Sequence, residues 1–193
     1  VASRATDLAV NAQSVFATGV SSNTFVFAQS APSLGLTAPN AARVISLAAL
    51  SGTAAVVAPN QIGKVQLRVL RQTGLTRYWY PPQNGGSNAF DLDATVTNPE
   101  LAFTTATYAV DWTNWSVTSG IPWISGESYQ VIPRAADRAG NYTLVYPTFT
   151  VVYDNTAPET GVSVPAHAGV LAALPLITGT TLDKTANGLN LGT

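Results

Sequence analysis

The sequence predicts an all-β protein built as an antiparallel β-sandwich. Apolar and polar residues alternate with a period of two along many short segments, and turn-forming residues separate those segments. Along residues 63–71, for example, Val65, Leu67 and Val69 fall on one face of a strand and polar residues fall on the other. No segment shows an apolar stripe at helical spacing. Many short strands separated by turns are typical of a sandwich.

Turn signals divide the predicted strands. Pro81–Ser87 contains two prolines and two glycines, and Ser125-Gly126 and Gly140-Asn141 are typical turn pairs. The predicted strands lie near residues 34–38, 45–55, 63–71, 76–80, 89–96, 106–117, 127–136 and 141–153.

The composition limits what the chain can bind. Charged residues make up 10% of it, against roughly 25% in an average globular domain. The nine Lys and Arg residues are scattered singly, so no basic face is predicted for nucleic acid or for anionic lipid. A surface this poor in charge suits a wall, stalk or filament component.

The chain contains no Cys, so its core must hold without disulfides or thiolate metal sites. Its most apolar run, residues 170–177, is interrupted by Pro175 and is too short to cross a bilayer, which takes about 20 residues. No signal peptide is recognised and the first residue is Val1. We therefore expect a processed product or a piece of a longer protein.

An internal repeat runs through the chain. Five blocks recur in the same order, at offsets between 126 and 130 residues. The pairs are Ser3–Asn11 with Pro133–Asn141, Phe25–Pro32 with Val151–Pro158, Leu36–Pro39 with Val162–Pro165, Leu50–Thr53 with Ile177–Thr180, and Asn60–Ile62 with Asn187–Leu189. Five blocks in order are too many for coincidence.

The repeat divides the chain into three parts. Residues 33–158 form a complete unit, residues 1–32 the C-terminal strands of a preceding unit, and residues 159–193 the N-terminal strands of a following unit. The connections end in Pro32 and Pro158, which suits short, stiff linkers.

The motifs Gly126–Val131, Arg134–Asn141 and Asp154–Pro158 resemble bacterial immunoglobulin-like repeats of large adhesins and other multi-repeat surface proteins. The resemblance implies an immunoglobulin-like sandwich in tandem, with a period of about 126 residues, on the outside of the bacterial cell. The partners that it implies are neighbouring repeats of the same or adjacent chains.

Two residues of these motifs have predicted structural roles. Tyr129 begins a strand just after a turn, so its hydroxyl can bond upstream backbone as a tyrosine corner. Gly140 supplies a positive φ in the hairpin that Asn141 closes. The first copy has Val10 where Gly140 stands, which predicts a different turn there.

The resemblance also makes Asp137, Asn141 and Asp154 candidate calcium ligands, because some repeats of this kind bind calcium at domain junctions. Calcium takes six to eight oxygen ligands, several of them carboxylates, and this junction offers few. Asp154 moreover aligns with Ala28. The competing interpretation is that Asp137 caps its turn through backbone amides, and no other cofactor is expected.

The tryptophans have two interpretations. Trp112, Trp115 and Trp123 lie close together before the last two strands, and Trp79 lies further back. They either pack in the core between the sheets, where large aromatic side chains are most often found, or form an exposed platform for a glycan.

No catalytic constellation is recognised, and we expect a protein that is not an enzyme. His167 is the only histidine, which excludes a multi-histidine metal site within one chain. Asp91 and Asp93 share one face of a predicted strand and could act as an acid–base pair on sugars, but a solvated strand edge is the commoner explanation. No phosphate loop or nucleophile elbow is present.

Three functions follow from these observations. The leading one is a structural spacer, in which tandem sandwiches form a stalk. The second is a filament subunit, in which the end segments of neighbouring copies pair by strand complementation. The third is a carbohydrate-binding module that uses exposed tryptophan side chains.

Overall fold

The computed structural model describes residues 1–95, 99–118, 120–174 and 176–183. The repeat block Asn187–Leu189 and the last residue of the predicted strand 89–96 therefore lie outside the described residues. The strands are β1 (Ser33–Ala38), β2 (Arg43–Val44), β3 (Ala49–Ala55), β4 (Ile62–Arg71), β5 (Arg77–Tyr80), β6 (Ala89–Asp93), β7 (Thr104–Thr105), β8 (Thr107–Tyr108), β9 (Asn114–Thr118), β10 (Glu127–Asp137), β11 (Phe149–Tyr153), β12 (Glu159–Val164) and β13 (Thr178–Leu182). Short 3-10 helices span Pro82–Asn84 and Pro99–Ala102.

The strands between residues 33 and 153 form two sheets. One has the order β1-β3-β9-β8, and the other has the order β2-β11-β10-β4-β5-β6, with β7 also paired to β4. The prediction of an all-β chain with antiparallel sheets is confirmed in this part of the structure. One pair departs from it, because β2 runs parallel to β11, with Arg43 opposite Val152. The chain crosses from the first sheet to the second after β1 without reversing its direction.

The core lies between the two sheets. Leu50 of β3 and Trp115 of β9 face the inner side chains of β4, β10 and β11. Val65, Leu67 and Val69 are completely buried, as the alternation predicted. The hydrophobic effect at this inner layer is the main stabilising term of a sandwich.

Three predicted strands extend by four residues or more beyond the strands in the structure. The segment 106–117 is divided into β8 and β9 by a turn in which Asp111 Oδ1 accepts a hydrogen bond from Thr113 N (2.9 Å). The segment 141–153 is extended only at β11, and the segment 45–55 only at β3. The alternation of apolar and polar residues continues through these turns, so it could not by itself distinguish strand from loop.

The outer face of the second sheet is covered rather than solvated. Arg134 forms a two-pronged ion pair with Glu100 (2.7 and 2.5 Å) and lies 3.6 Å from the centre of the Phe103 ring. Cations and aromatic rings alternate across this face in the order Lys64, Tyr142, Arg134, Phe103, Arg68 and Tyr78. Cation–π contacts and a bidentate pair fix the loop that carries Phe103 on the sheet.

The β12–β13 hairpin is a separate two-stranded sheet. Its pairing matches that of β1 with β3: Leu36 lies opposite Gly52, and Val162 lies opposite Gly179. In both hairpins the register shifts at the next residue of the first strand, where two hydroxyl side chains meet across the strands (2.9 and 3.3 Å). Residues 1–32 contain isolated bridges and no strand.

In the core a glycine packs tightly against a tryptophan. A Cβ atom on Gly52 would overlap the indole of Trp115 and the carbonyl oxygen of Gly35. Gly52 therefore lets the indole lie directly against the backbone of β3.

We expect Gly52→Ala to lower the free energy of unfolding by about 1–3 kcal/mol, because overpacked cores lose about that much. Chemical denaturation monitored by tryptophan fluorescence measures the change. Gly120→Ala is the control, since nothing lies within 4 Å of its added Cβ. Equal stability of the two variants would contradict this account of the core.

Candidate functional site

The turn after β10 is a cluster of hydrogen-bonded polar side chains. Asp137 Oδ1 accepts a hydrogen bond from the backbone N–H of Asn141 (2.8 Å). Its Oδ2 accepts from Asn141 Nδ2 (2.8 Å) and from Asn60 Nδ2 (2.6 Å). Gly140 has a φ of +90°, the positive value that the sequence predicted. The carboxylate is thus bonded to three N–H donors, which is the turn-capping role.

The same arrangement is present near the beginning of the chain. Asp7 accepts from Asn11 N and Asn11 Nδ2, both at 2.9 Å. The prediction of a different turn there is wrong, because Val10 has a φ of +68° and takes the place of Gly140. A left-handed β-branched residue costs about 1–3 kcal/mol, and the hydrogen bonds of the Asp7 carboxylate offset this cost.

Hydrogen bonding outweighs burial at Asp137. Burial raises the pKa of this carboxyl. The hydrogen bonds from Asn141 and Asn60 lower the pKa by more than burial raises it, so the pKa lies below its ordinary value. The side chain is therefore an anion at neutral pH, and its charge is balanced by amide donors.

Asp137 and Asn141 are in direct contact, but Asp154, the third candidate calcium ligand, lies apart from them. Asp154 follows β11, whose last residue Tyr153 pairs with Glu127 at the start of β10. Asp137 ends the same strand ten residues later, which is about 33 Å away at the rise of a β-strand. One ion cannot contact both carboxylates of the same unit. In the described part of the chain no group of three or more His, Cys, Asp or Glu residues is placed to hold a metal ion.

Asp154 instead fastens the linker that follows the unit. Its Oδ1 accepts from Ser125 Oγ (2.9 Å) and from the backbone N–H of Thr156 (3.1 Å). Ser125 Oγ also accepts from Asn155 N (3.0 Å) and lies 2.8 Å from Thr156 Oγ1. These bonds tie residues 154–156 to the loop before β10.

Tyr129 makes the upstream backbone contact that the sequence predicted. Its hydroxyl oxygen accepts a hydrogen bond from Ile124 N (2.8 Å), and its ring lies edge-on to Trp123. Burial raises the pKa of this phenol to about 12. The contact fixes the crossover from one sheet to the other, as a tyrosine corner does.

The tryptophans divide into buried and partly exposed ones. Trp79 and Trp115 are 4% and 2% exposed, so neither can offer a ring face to a glycan. Trp123 is partly buried and donates to Leu47 O (3.2 Å). Only Trp112 borders an open groove.

The groove beside Trp112 has a volume of about 590 Å³. Tyr108 is half exposed and lies 4.4 Å from Trp112 between ring centres. The polar side chains that line it are those of Asn60, Gln61, Asp111, Thr113 and Arg138. Sequence reasoning missed Tyr108 because it placed residues 106–117 in one strand, although Asp111 two residues before Thr113 is a signal for a turn.

The possible acid–base pair does not face a pocket. Asp91 accepts from Ser87 Oγ (2.5 Å), whereas Asp93 is paired with Arg77 and accepts from Thr95 Oγ1 (2.7 Å). His167 lies in an exposed loop. Each of the two carboxylates is thus held by its own neighbours at the edge of the second sheet.

No protein-family model matches the chain, and neither a curated protein nor a solved structure is significantly similar to it. Within the described residues, no helix has the length and apolar character needed to cross a membrane.

We expect Asp137→Asn to reduce the stability of the unit 33–158 at neutral pH by about 1–2 kcal/mol, because a carboxylate hydrogen-bonded to several donors is replaced. Since the folded-state pKa is lowered, this contribution is present above the ordinary pKa of about 3.9 and is lost as the pH falls through the folded-state value. Urea denaturation of both proteins from pH 7 to pH 2 measures the difference.

Asp7→Asn is the matched control, because it changes the same turn outside that unit. A difference between Asp137→Asn and the unchanged protein that does not shrink at low pH would show that the carboxylate charge is not involved.

Proposed function

We propose that the chain is a segment of a bacterial surface protein in which immunoglobulin-like sandwiches follow one another in tandem and act as a structural spacer outside the cell. The observation that carries the proposal is the identical pairing of the β1–β3 and β12–β13 hairpins, 126 or 127 residues apart.

The strand order supports the immunoglobulin-like type. In that fold, strands A, B, E and D form one sheet, and G, F, C and C′ belong to the other. The order β1-β3-β9-β8 fits the first sheet, and β11-β10-β4-β5 fits the second. Tyr129 at the start of β10 then has the position of the tyrosine corner on strand F.

The end segments support the tandem arrangement. Residues 1–32 carry the Asp7–Asn11 turn that matches Asp137–Asn141, and residues 159–193 begin with a hairpin that matches β1–β3. Apolar residues of the end segments are exposed where their counterparts are buried. Phe25 is 69% exposed whereas Val151 is completely buried, and Ile177 is 67% exposed whereas Leu50 is completely buried. Neighbouring repeats, of the same or adjacent chains, would cover these side chains.

The direction of the chain supports the spacer role. The chain enters the unit 33–158 at Ser33, opposite Ala55, and the loop after Ala55 leads to Ile62, which pairs with Asp137. It leaves after Tyr153, opposite Glu127. Entry and exit therefore lie at opposite ends of the long strand β10, so successive units extend end to end rather than side by side.

A protein containing two copies of residues 33–158 in direct succession tests the proposal. We expect the second copy to lengthen the particle by about 35–45 Å in small-angle X-ray scattering, since β10 alone spans about 36 Å. In the control, a flexible Gly/Ser linker replaces residues 154–158, and it should give a broader range of lengths. A compact particle with little added length would overturn the spacer.

A carbohydrate-binding role is the second candidate, and the groove at Tyr108 and Trp112 favours it. Two adjoining aromatic rings offer apolar faces to a pyranose ring, and the amide, carboxylate and guanidinium groups at the rim match sugar hydroxyls. The volume of the groove fits a short oligosaccharide.

A glycan array followed by calorimetry on any bound glycan tests this role. We expect Tyr108→Ala to weaken binding about tenfold, which corresponds to about 1.4 kcal/mol. Tyr142→Ala is the control, because this partly exposed aromatic residue lies outside the groove. No binding on the array, or equal loss in both variants, would exclude the groove as a sugar site.

A further inference from the structure

The turn at Asp137 also holds the linker that precedes the unit. Asn141 Nδ2 has two hydrogens, and it donates one to Asp137 Oδ2 (2.8 Å) and the other to the carbonyl oxygen of Ala28 (3.0 Å). Ala28 is half-buried, whereas Phe27 and Gln29 on either side of it are exposed. The contact therefore singles out one peptide group of the linker.

The equivalent position in the linker that leaves the unit shows what the side chain at this position contacts. Ala28 and Asp154 are equivalent, 126 residues apart. The side chain of Asp154 is bonded to Ser125 of the unit that precedes its linker. The backbone carbonyl of Ala28 is bonded to Asn141 of the unit that follows its linker. One linker position thus offers a side chain to the unit behind it and a carbonyl to the unit ahead.

We propose that the turn 137–141 is the receptor of an interdomain joint, in which Asn141 locks the linker of the preceding unit by binding its carbonyl group. This inference rests on the proposed tandem arrangement and names the partner of the turn: the peptide backbone of the linker from the neighbouring unit. Asp137 is the positioning residue, because its carboxylate orients the amide of Asn141.

Packing around the joint is consistent with a lock. Pro32, which leads into the unit, is buried, whereas its counterpart Pro158 is exposed. Residues 27–30 face the loop residues 57–60 across a narrow gap of about 110 Å³. Asn60 belongs to this loop and donates to Asp137 Oδ2, the oxygen that Asn141 Nδ2 also contacts. The linker is therefore held by the loop, the turn and the first residues of β1.

Spin labels measure how firmly the linker is held against the unit. They can be attached at chosen positions of the full chain, because it has no Cys of its own. Gln29→Cys places one label on the linker and Leu75→Cys places the other on an exposed turn of the unit. In the protein with these two labels, we expect double electron–electron resonance spectroscopy to give one narrow distribution of label distances. Asn141→Ala should at least double the width of that distribution.

Two matched variants separate the lock from damage to the turn. Asn11→Ala removes the same contact to a carboxylate in the first copy of the turn, where the described residues provide no linker carbonyl. Asn60→Ala removes a donor to Asp137 without touching Ala28. Neither should widen the distribution as Asn141→Ala does.

The inference is overturned if Asn141→Ala leaves the width unchanged, or if Asn11→Ala or Asn60→Ala widens it equally. Failure of the spacer proposal has a different signature, a compact two-unit particle in scattering. An extended two-unit particle together with an unchanged label distribution would leave the spacer standing and remove the lock.

Discussion

The packing of the two sheets in residues 33–153 depends on the contact between Gly52 and the indole of Trp115. These residues pair across β3 and β9, and the missing side chain of Gly52 allows the indole to lie against the backbone. The indole fills the centre of the inter-sheet layer, where it meets the alternating apolar residues of the second sheet. A chain with no disulfide has to obtain its cooperativity from such packing, because a close-packed core is the main source of a single native arrangement.

The second sheet adds a different kind of constraint on its outer face. Arg134 is 6% exposed although it carries a full charge, and its burial is made favourable by Glu100, Gln66 and the ring of Phe103. Burying a guanidinium without such partners would be costly. Because these groups come from β4, β10 and the loop before β7, the network joins segments that are distant in sequence. Arg134 and Glu100 thus have a structural role in the second sheet.

Alternation and turn residues were sufficient to predict the all-β class, the buried face of β4 and the contact of Tyr129, since all three depend on local periodicity or on one turn. The limits lie where distant segments meet. The alternation on β4 assigned Arg68 to solvent, and nothing local indicated that Phe103 would cover it. Val10 was expected to give a turn different from that of Gly140. The prediction was wrong because intrinsic conformational preference does not reveal the hydrogen bonds that stabilise a strained residue. Asp137 and Asp154 were both candidate calcium ligands because similar repeats bind calcium at domain junctions, although β10 separates the two residues within one unit.

Amide groups of the chain itself hold the proposed joint, in contrast to a joint built on calcium. A calcium joint holds only while the ion is supplied, because the bound carboxylates repel one another without it. At Asp137 the donors are the amides of Asn141 and Asn60 and one backbone N–H, which are part of the chain. The linker in turn contributes a neutral carbonyl, so no second carboxylate approaches the site. Stiffness of the proposed spacer then depends on Asp137, which must remain ionised to keep the amide of Asn141 aimed at the linker.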